Sequence, residues 1–284
     1  MSTFCGLGDI LKSFVNVYIF CKQNGIGFYL NFDHHCIKKF LNFKKFDFTK
    51  TFKDIEVPKV VDFVSGSNFY SYLCESNEEN IFLMTDGNNI SNFSYVENLE
   101  ADFKEVFLSN EKIADNIKNQ YSEPYNVFHA RLGDGNMVSK DFLDDYYLRD
   151  FSHQYSAYDW YNSIDFNFSY DFLYKNFSEE IASSDFICSD HLSFKKFISE
   201  RSEVRYVDFE TVHLGLKNSM KNIEKTLYDF YILYYCDNAF SVSHYPFGKR
   251  ASGFAYWIDK IFIKDFKYFS FDWLYQNIKP LKVY

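Results

Sequence analysis

The chain has 284 residues and a mass of 33.9 kDa, with 39 acidic against 30 basic side chains and a formal net charge of −9. That length suits two domains of roughly 140 residues each and buries a large core without help from disulfides. The acidic balance, with a pI near 5.3, argues against nucleic acid as a general partner, because phosphate binding wants a basic surface.

Ser2 to Cys5 is a short apolar lead into the turn Gly6-Leu7-Gly8. Apolar residues at Ile10, Phe14, Val17, Tyr18 and Cys21 then recur at helical spacing, and Asn24-Gly25 supplies the helix stop. Gly27 to Phe32 reads as a buried strand that would close a βαβ unit with parallel strands. Lys38 to Thr51 has a weaker helical pattern, and Val57 to Val64 and Asn80 to Thr85 read as further strands. Phe103 to Tyr121 reads as one helix stopped by Glu123-Pro124, and Tyr125 to His129 as a strand followed by the loop Ala130 to Asn136.

Lys140 to Phe166 is crowded with Asp and Tyr and has no clean period, which suits a domain connection or an acceptor-facing segment. After it the alternation is clear. Helices are predicted over Tyr170 to Ser183, His191 to Glu200, Ile223 to Tyr235 and Ala251 to Phe262. Strands are predicted between them, at Asp185 to Cys188, Val204 to Val207 and Ala239 to Ser243. Short apolar strands alternating with helices imply an α/β fold whose parallel sheets are covered on both faces. Two Rossmann-like domains fit best, residues 1–150 and 151–284.

Six cysteines stand without a CxxC pair, so ligation of a metal by paired thiolates has no support. The opening MSTFCGLGD has neither a basic n-region nor an apolar h-region, and no run of 18 apolar residues occurs. A reduced, cytoplasmic protein without stable membrane insertion is the expectation. The 35 Phe and 24 Tyr, with lysine far ahead of arginine, reflect compositional bias before function.

In a parallel α/β sheet, ligands bind beyond the carboxyl ends of the strands, so polar residues just after each strand matter most. Gly6-Leu7-Gly8-Asp9 feeds a helix N-terminus whose unpaired N–H groups favour an anion, although the third glycine of GxGxxG would fall on Leu11. A tight turn alone would also explain it. His129-Ala130-Arg131-Leu132-Gly133-Asp134 is more informative. Arg131 offers a planar fork of donors able to hold two phosphate oxygens, His129 can donate to the same phosphates or position the arginine, and Asp134 can fix the arginine or hold a hydroxyl. The structural alternative is an Arg131–Asp134 salt bridge closing the loop.

His129-Ala130-Arg131-Leu132-Gly133-Asp134 resembles the HxRxxD signature of the GDP-fucose fucosyltransferase superfamily, which includes the α-1,2-, α-1,6- and protein O-fucosyltransferases. Gly6-Leu7-Gly8-Asp9-Ile10-Leu11 is similar to the opening of their acceptor-side domain, Phe186 to Asp190 to their strand ending in Ser/Thr-Asp, and Cys236 to Ala251 lies where their final serine- and Phe-rich motif falls. The resemblance implies a GT-B fold with an N-terminal acceptor side and a C-terminal nucleotide-sugar side, inverting transfer of L-fucose from GDP-fucose to a glycan hydroxyl, and no metal or other cofactor. It places Arg131 on the leaving diphosphate, with His129 and Asp134 completing that motif. It also implies donor contacts at Gly6 and Gly8, at Ser189 and Asp190 near the guanosine, and at Ser241, Ser243 and Phe247 near the diphosphate and base.

Departures are visible at Leu132, where many members carry a second arginine, at Asp9 in place of Asn, and in the final motif Ser241 to Arg250. A GT-B enzyme with another nucleotide sugar and a non-catalytic nucleotide-sugar or glycan-binding module therefore stay open, and Asp33 after the second strand keeps an NAD reading in view. Candidates for the base are Asp9, Asp33, His34, His35 and Asp86, among which the sequence does not choose.

Overall fold

The computed structural model describes residues 7–32, 36–47, 95–121, 124–132, 166–209, 220–244 and 252–271. The expected strands at Ser2 to Cys5, Val57 to Val64 and Asn80 to Thr85, and the segment from Lys140 to Asp165, lie outside them. No described helix is long and apolar enough to cross a membrane.

The first element, α1 (Leu7–Asn24), buries Ile10, Leu11, Phe14, Val15, Tyr18 and Ile19 along one stripe, the spacing that a helix needs to cover a core. It ends as expected at Asn24-Gly25. Gly25 takes φ 66°, Ile26 N–H donates to the Cys21 carbonyl (2.8 Å), and Gly25 N–H to that of Lys22 (3.5 Å), the paired bonds of a Schellman stop. Gly27 to Phe32 is not the expected strand: only Leu30 forms a bridge, parallel to Asp47, and two short 3-10 turns (Cys36–Phe40 and Lys44–Phe46) replace the weak helix. Phe28 and Phe46 pack instead edge-on against Phe14 and Tyr18. Ring packing, not a sheet ladder, fixes this segment.

The helix expected over Phe103 to Tyr121 is two helices, α2 (Leu99–Phe107) and α3 (Glu111–Gln120). Asn110 makes the break: its side chain accepts from Ile113 N–H (3.2 Å), while its own N–H donates to the Tyr231 hydroxyl (2.8 Å). Beyond it runs β1 (Asn126–Arg131), followed by α4 (Phe166–Asn176) and α5 (Ser178–Ala182), which divide the expected Tyr170 to Ser183 helix at buried Phe177. Then come β2 (Phe186–Ser189), α6 (Leu192–Ser199), β3 (Arg205–Tyr206), α7 (Met220–Tyr235), β4 (Asn238–His244), α8 (Gly253–Phe262) and β5 (Lys267–Phe271). β5 is not among the strands expected from the sequence.

Among the described residues the fold is α/β, with one parallel five-stranded sheet in the order β3-β2-β1-β4-β5. From β1 the chain steps outward through β2 to β3, then returns to the other side of β1 for β4 and β5. Right-handed crossovers made in opposite directions must lie on opposite faces. Accordingly α4, α5 and α6 cover Phe128, Ala130, Ile187 and Val242, while α7 and α8 cover Val127, Phe186, Cys188 and Ala239. α1, α2 and α3 join the second face, so the N-terminal helices and the sheet share one core. The central strand comes from before residue 150 and the other four from after it.

The first turns of α1 and α8 touch at Gly8 and Gly253. A Cβ on Gly253 would stand 2.7 Å from the Gly8 Cα, and a Cβ on Gly8 would stand 3.3 Å from that of Gly253. Gly253→Ala must push two backbones apart and should lower stability by about 1–3 kcal/mol. Gly8→Ala should sit near neutral, its crowding offset by the roughly 1 kcal/mol helix preference of alanine. Urea unfolding of the two variants tests that order.

Candidate functional site

The strand order reverses between β1 and β4, and at such a point the carboxyl ends of the strands open into a crevice. β1 ends there with Arg131, which lies in register with Ser243 of β4. Asp190, directly after β2, brackets this end of the sheet. One carboxylate oxygen accepts from the Arg131 guanidinium, and the other from Leu132 N–H (2.8 Å). Ser189 steadies the turn: its hydroxyl reaches Asp190 (3.4 Å) and accepts from His191 N–H (3.1 Å). Asp190 is 3% exposed and Arg131 24%, so the carboxylate is sunk in protein while the guanidinium still reaches the crevice. A charged donor fork held in this way is oriented before any ligand arrives.

His129, two residues before Arg131 on β1, is buried below that opening. Its Nδ1 pairs with the Ser241 hydroxyl across β1 and β4 (2.9 Å), and both residues are buried. Burial lowers the imidazole pKa to about 4, with Arg131 and Lys195 pushing the same way against Asp190. It is a neutral ring at pH 7, so the pairing ties the two switch-point strands together without adding positive charge.

Of the residues singled out in the sequence, the fold gathers Arg131, Asp190, Ser189 and Ser243 at one edge and sets His129 beside Ser241 in the layer below. Arg131 pairs with Asp190, which the resemblance would set near a guanosine; Asp134, the partner the sequence offered, lies outside the described residues. Gly8 sits in the first turn of α1 against Gly253. Since α8 follows β4, the N-termini of both helices stand at the carboxyl edge of the sheet, where their N–H groups favour an anion. Gly6, Asp134 and Phe247 lie outside the described residues, as do Asp33, His34, His35 and Asp86, while Asp9 is half-buried in the first turn of α1. Among the described residues, no three His, Cys, Asp or Glu side chains are grouped as around a metal ion.

A buried ion pair lies behind the site. Lys195 of α6, wholly buried, donates to Asp229 of α7 (3.0 Å) and to the Phe209 carbonyl (3.2 Å), with its ammonium over the Phe209 ring. Burial, and next to it the Asp229 charge, raise the Cys188 thiol well above its ordinary pKa, so it is no thiolate nucleophile. The signal for this pair was a lone acid, Asp229, in the otherwise apolar and aromatic run Leu227 to Tyr235.

Compared with protein-family models, with curated proteins and with solved structures, the chain matches none of them.

Two outcomes follow. Because the folded pKa of His129 lies below the ordinary 6.5, its neutral burial stabilises the fold fully above about pH 6.5 and is lost as pH falls toward about 4. Between about pH 7.5 and pH 5 the loss is roughly 2 kcal/mol, and His129→Asn should remove that part of the slope in urea titrations. Lys195→Met alone leaves the buried Asp229 carboxylate without its cation and should cost about 3–5 kcal/mol, whereas Lys195→Met with Asp229→Leu should recover most of it. Thermal unfolding of the single and double variants checks this.

Proposed function

We propose that the protein is an inverting glycosyltransferase that moves a sugar from a nucleoside diphosphate to a glycan hydroxyl, with L-fucose from GDP-fucose as the donor. One observation carries the reading: Arg131 is fixed by buried Asp190 at the switch point of a parallel sheet, at the edge where two helix N-termini also stand. In a direct displacement the anomeric carbon gains the acceptor oxygen as its bond to the diphosphate breaks. Negative charge then grows on the departing phosphate oxygens. A guanidinium and helix N–H groups set in advance meet that charge without reorganising. On this reading they do so without a metal, and Ser243, in register with Arg131, is within reach of the same oxygens.

The resemblance of His129 to Asp134 to the fucosyltransferase signature supports guanosine and fucose, and with them a GT-B arrangement in which the described sheet is the donor half. In that role His129 and Ser241 hold β1 and β4 together beneath the donor. A second reading keeps the reaction and changes the nucleotide, because Leu132 and the altered motif after Ser241 depart from the fucose-specific pattern.

Thermal unfolding with GDP, UDP, ADP, CMP, GDP-fucose, GDP-mannose and NADH tests the reading. A nucleotide at about 100 times its Kd adds about 2.7 kcal/mol, a shift of a few degrees in a protein of this size. GDP and GDP-fucose should give that shift, and Arg131→Ala should abolish it and lower turnover by at least about 100-fold. A shift with UDP or ADP alone moves the protein to the second reading, and no shift with any nucleotide overturns both.

A further inference from the structure

The reaction proposed above needs a group that takes the acceptor's proton, and the described residues hold a candidate in a cluster that the donor site does not use. Tyr170 of α4 is buried with its hydroxyl 3.0 Å from His191 Nδ1 and 2.7 Å from the Ser193 hydroxyl. His191 is 1% exposed, whereas Ser193, in the first turn of α6, faces solvent. Phe194 and Phe197 pack on the Tyr170 ring and hold it between the two partners. The phenol has one proton to give. When it donates to His191 Nδ1, its oxygen accepts from Ser193, and every proton points from the surface toward the imidazole.

The place also fits. Asp190, which holds Arg131, is three residues before Ser193, so their Cα atoms are at most about 11 Å apart. The carboxylate that anchors the arginine and the serine hydroxyl therefore lie in one neighbourhood. His129 pairs instead with Ser241, which is itself buried, so that pairing does not reach a solvent-facing hydroxyl as the Tyr170–Ser193 pairing does.

We propose that Ser193, Tyr170 and His191 form a proton relay in which Ser193 touches the acceptor hydroxyl and His191 receives the charge. This rests on the transferase reading and assigns its missing base. As the acceptor oxygen bonds to the anomeric carbon, its proton passes to the Ser193 oxygen, the Ser193 proton to Tyr170, and the Tyr170 proton to His191 Nδ1. The diphosphate leaves with the electron pair of the broken bond. Ser193 is the catalytic residue of the three, and Tyr170 and His191 act through it.

The test joins a spectroscopic measurement on the ligand-free protein to kinetics. Nitrogen NMR with labelled histidine should find His191 protonated on Nε2, with Nδ1 accepting. GDP release from GDP-fucose, with water as acceptor, should fall by about 100-fold in Tyr170→Phe and in His191→Asn, which keeps an acceptor but not a base. Ser193→Ala, an exposed change that leaves the core intact, should lose at least about tenfold. GDP affinity should stay within about threefold in all three. A proton on Nδ1 overturns the relay whatever the donor is, and so does GDP release unchanged in both Tyr170→Phe and Ser193→Ala. If the wild type binds no nucleotide, the transferase reading fails first and takes the relay's reaction with it.

Discussion

A strand buried on both faces has no water to satisfy its amides, so β1 must be paired along both edges. That constraint organises the molecule. Pairing with β2 on one side and β4 on the other puts the strand at the centre of the sheet and its last residue, Arg131, in the crevice where the order reverses. It also dictates which helices lie on which face, because the crossovers leave β1 in opposite directions. An arginine at such a position cannot be left without a counter-charge, and Asp190 comes from the neighbouring strand to supply it.

The charges inside the fold follow the same logic of compensation. His129 loses its charge to burial, Lys195 meets Asp229, and Cys188 is held as a thiol beside that pair. β1 and β2 end on the polar residues Arg131 and Ser189, with Ser243 of β4 beside them, above the apolar cover of Val127, Phe128, Ile187 and Val242.

Much of this frame was legible in the chain. Short apolar runs between helical stretches marked β1, β2 and β4 to within a few residues, and Asn24-Gly25 marked the end of α1. What escaped was decided by tertiary partners. The break at Asn110 shows locally only as an N-cap residue type, and its N–H is taken by Tyr231 from 121 residues away. Gly27 to Phe32 has the composition of a strand but meets rings instead of a ladder, and β5 is hidden in a stretch of lysine and aromatics that resembles the bias of the whole chain. At the site, the end of β1 pointed to Arg131, but its partner Asp190 and the trio of Tyr170, His191 and Ser193 converge only once β2 is placed. Glycines at 6 and 8 read equally as a phosphate turn or as a packing contact, and the structure gives Gly8 the packing contact.

That contact has a consequence for the order in which the protein is made. α1 leaves the ribosome early with Ile10, Leu11, Phe14, Val15, Tyr18 and Ile19 along one side, yet the glycine that receives its first turn is encoded far downstream. At 5–20 residues per second, translating the roughly 245 residues between them takes on the order of 12 to 50 seconds. Through that interval the apolar stripe has neither α7 nor α8 to lie against. A chain that ends before Gly253 therefore has the stripe but lacks the glycine against which its first turn packs.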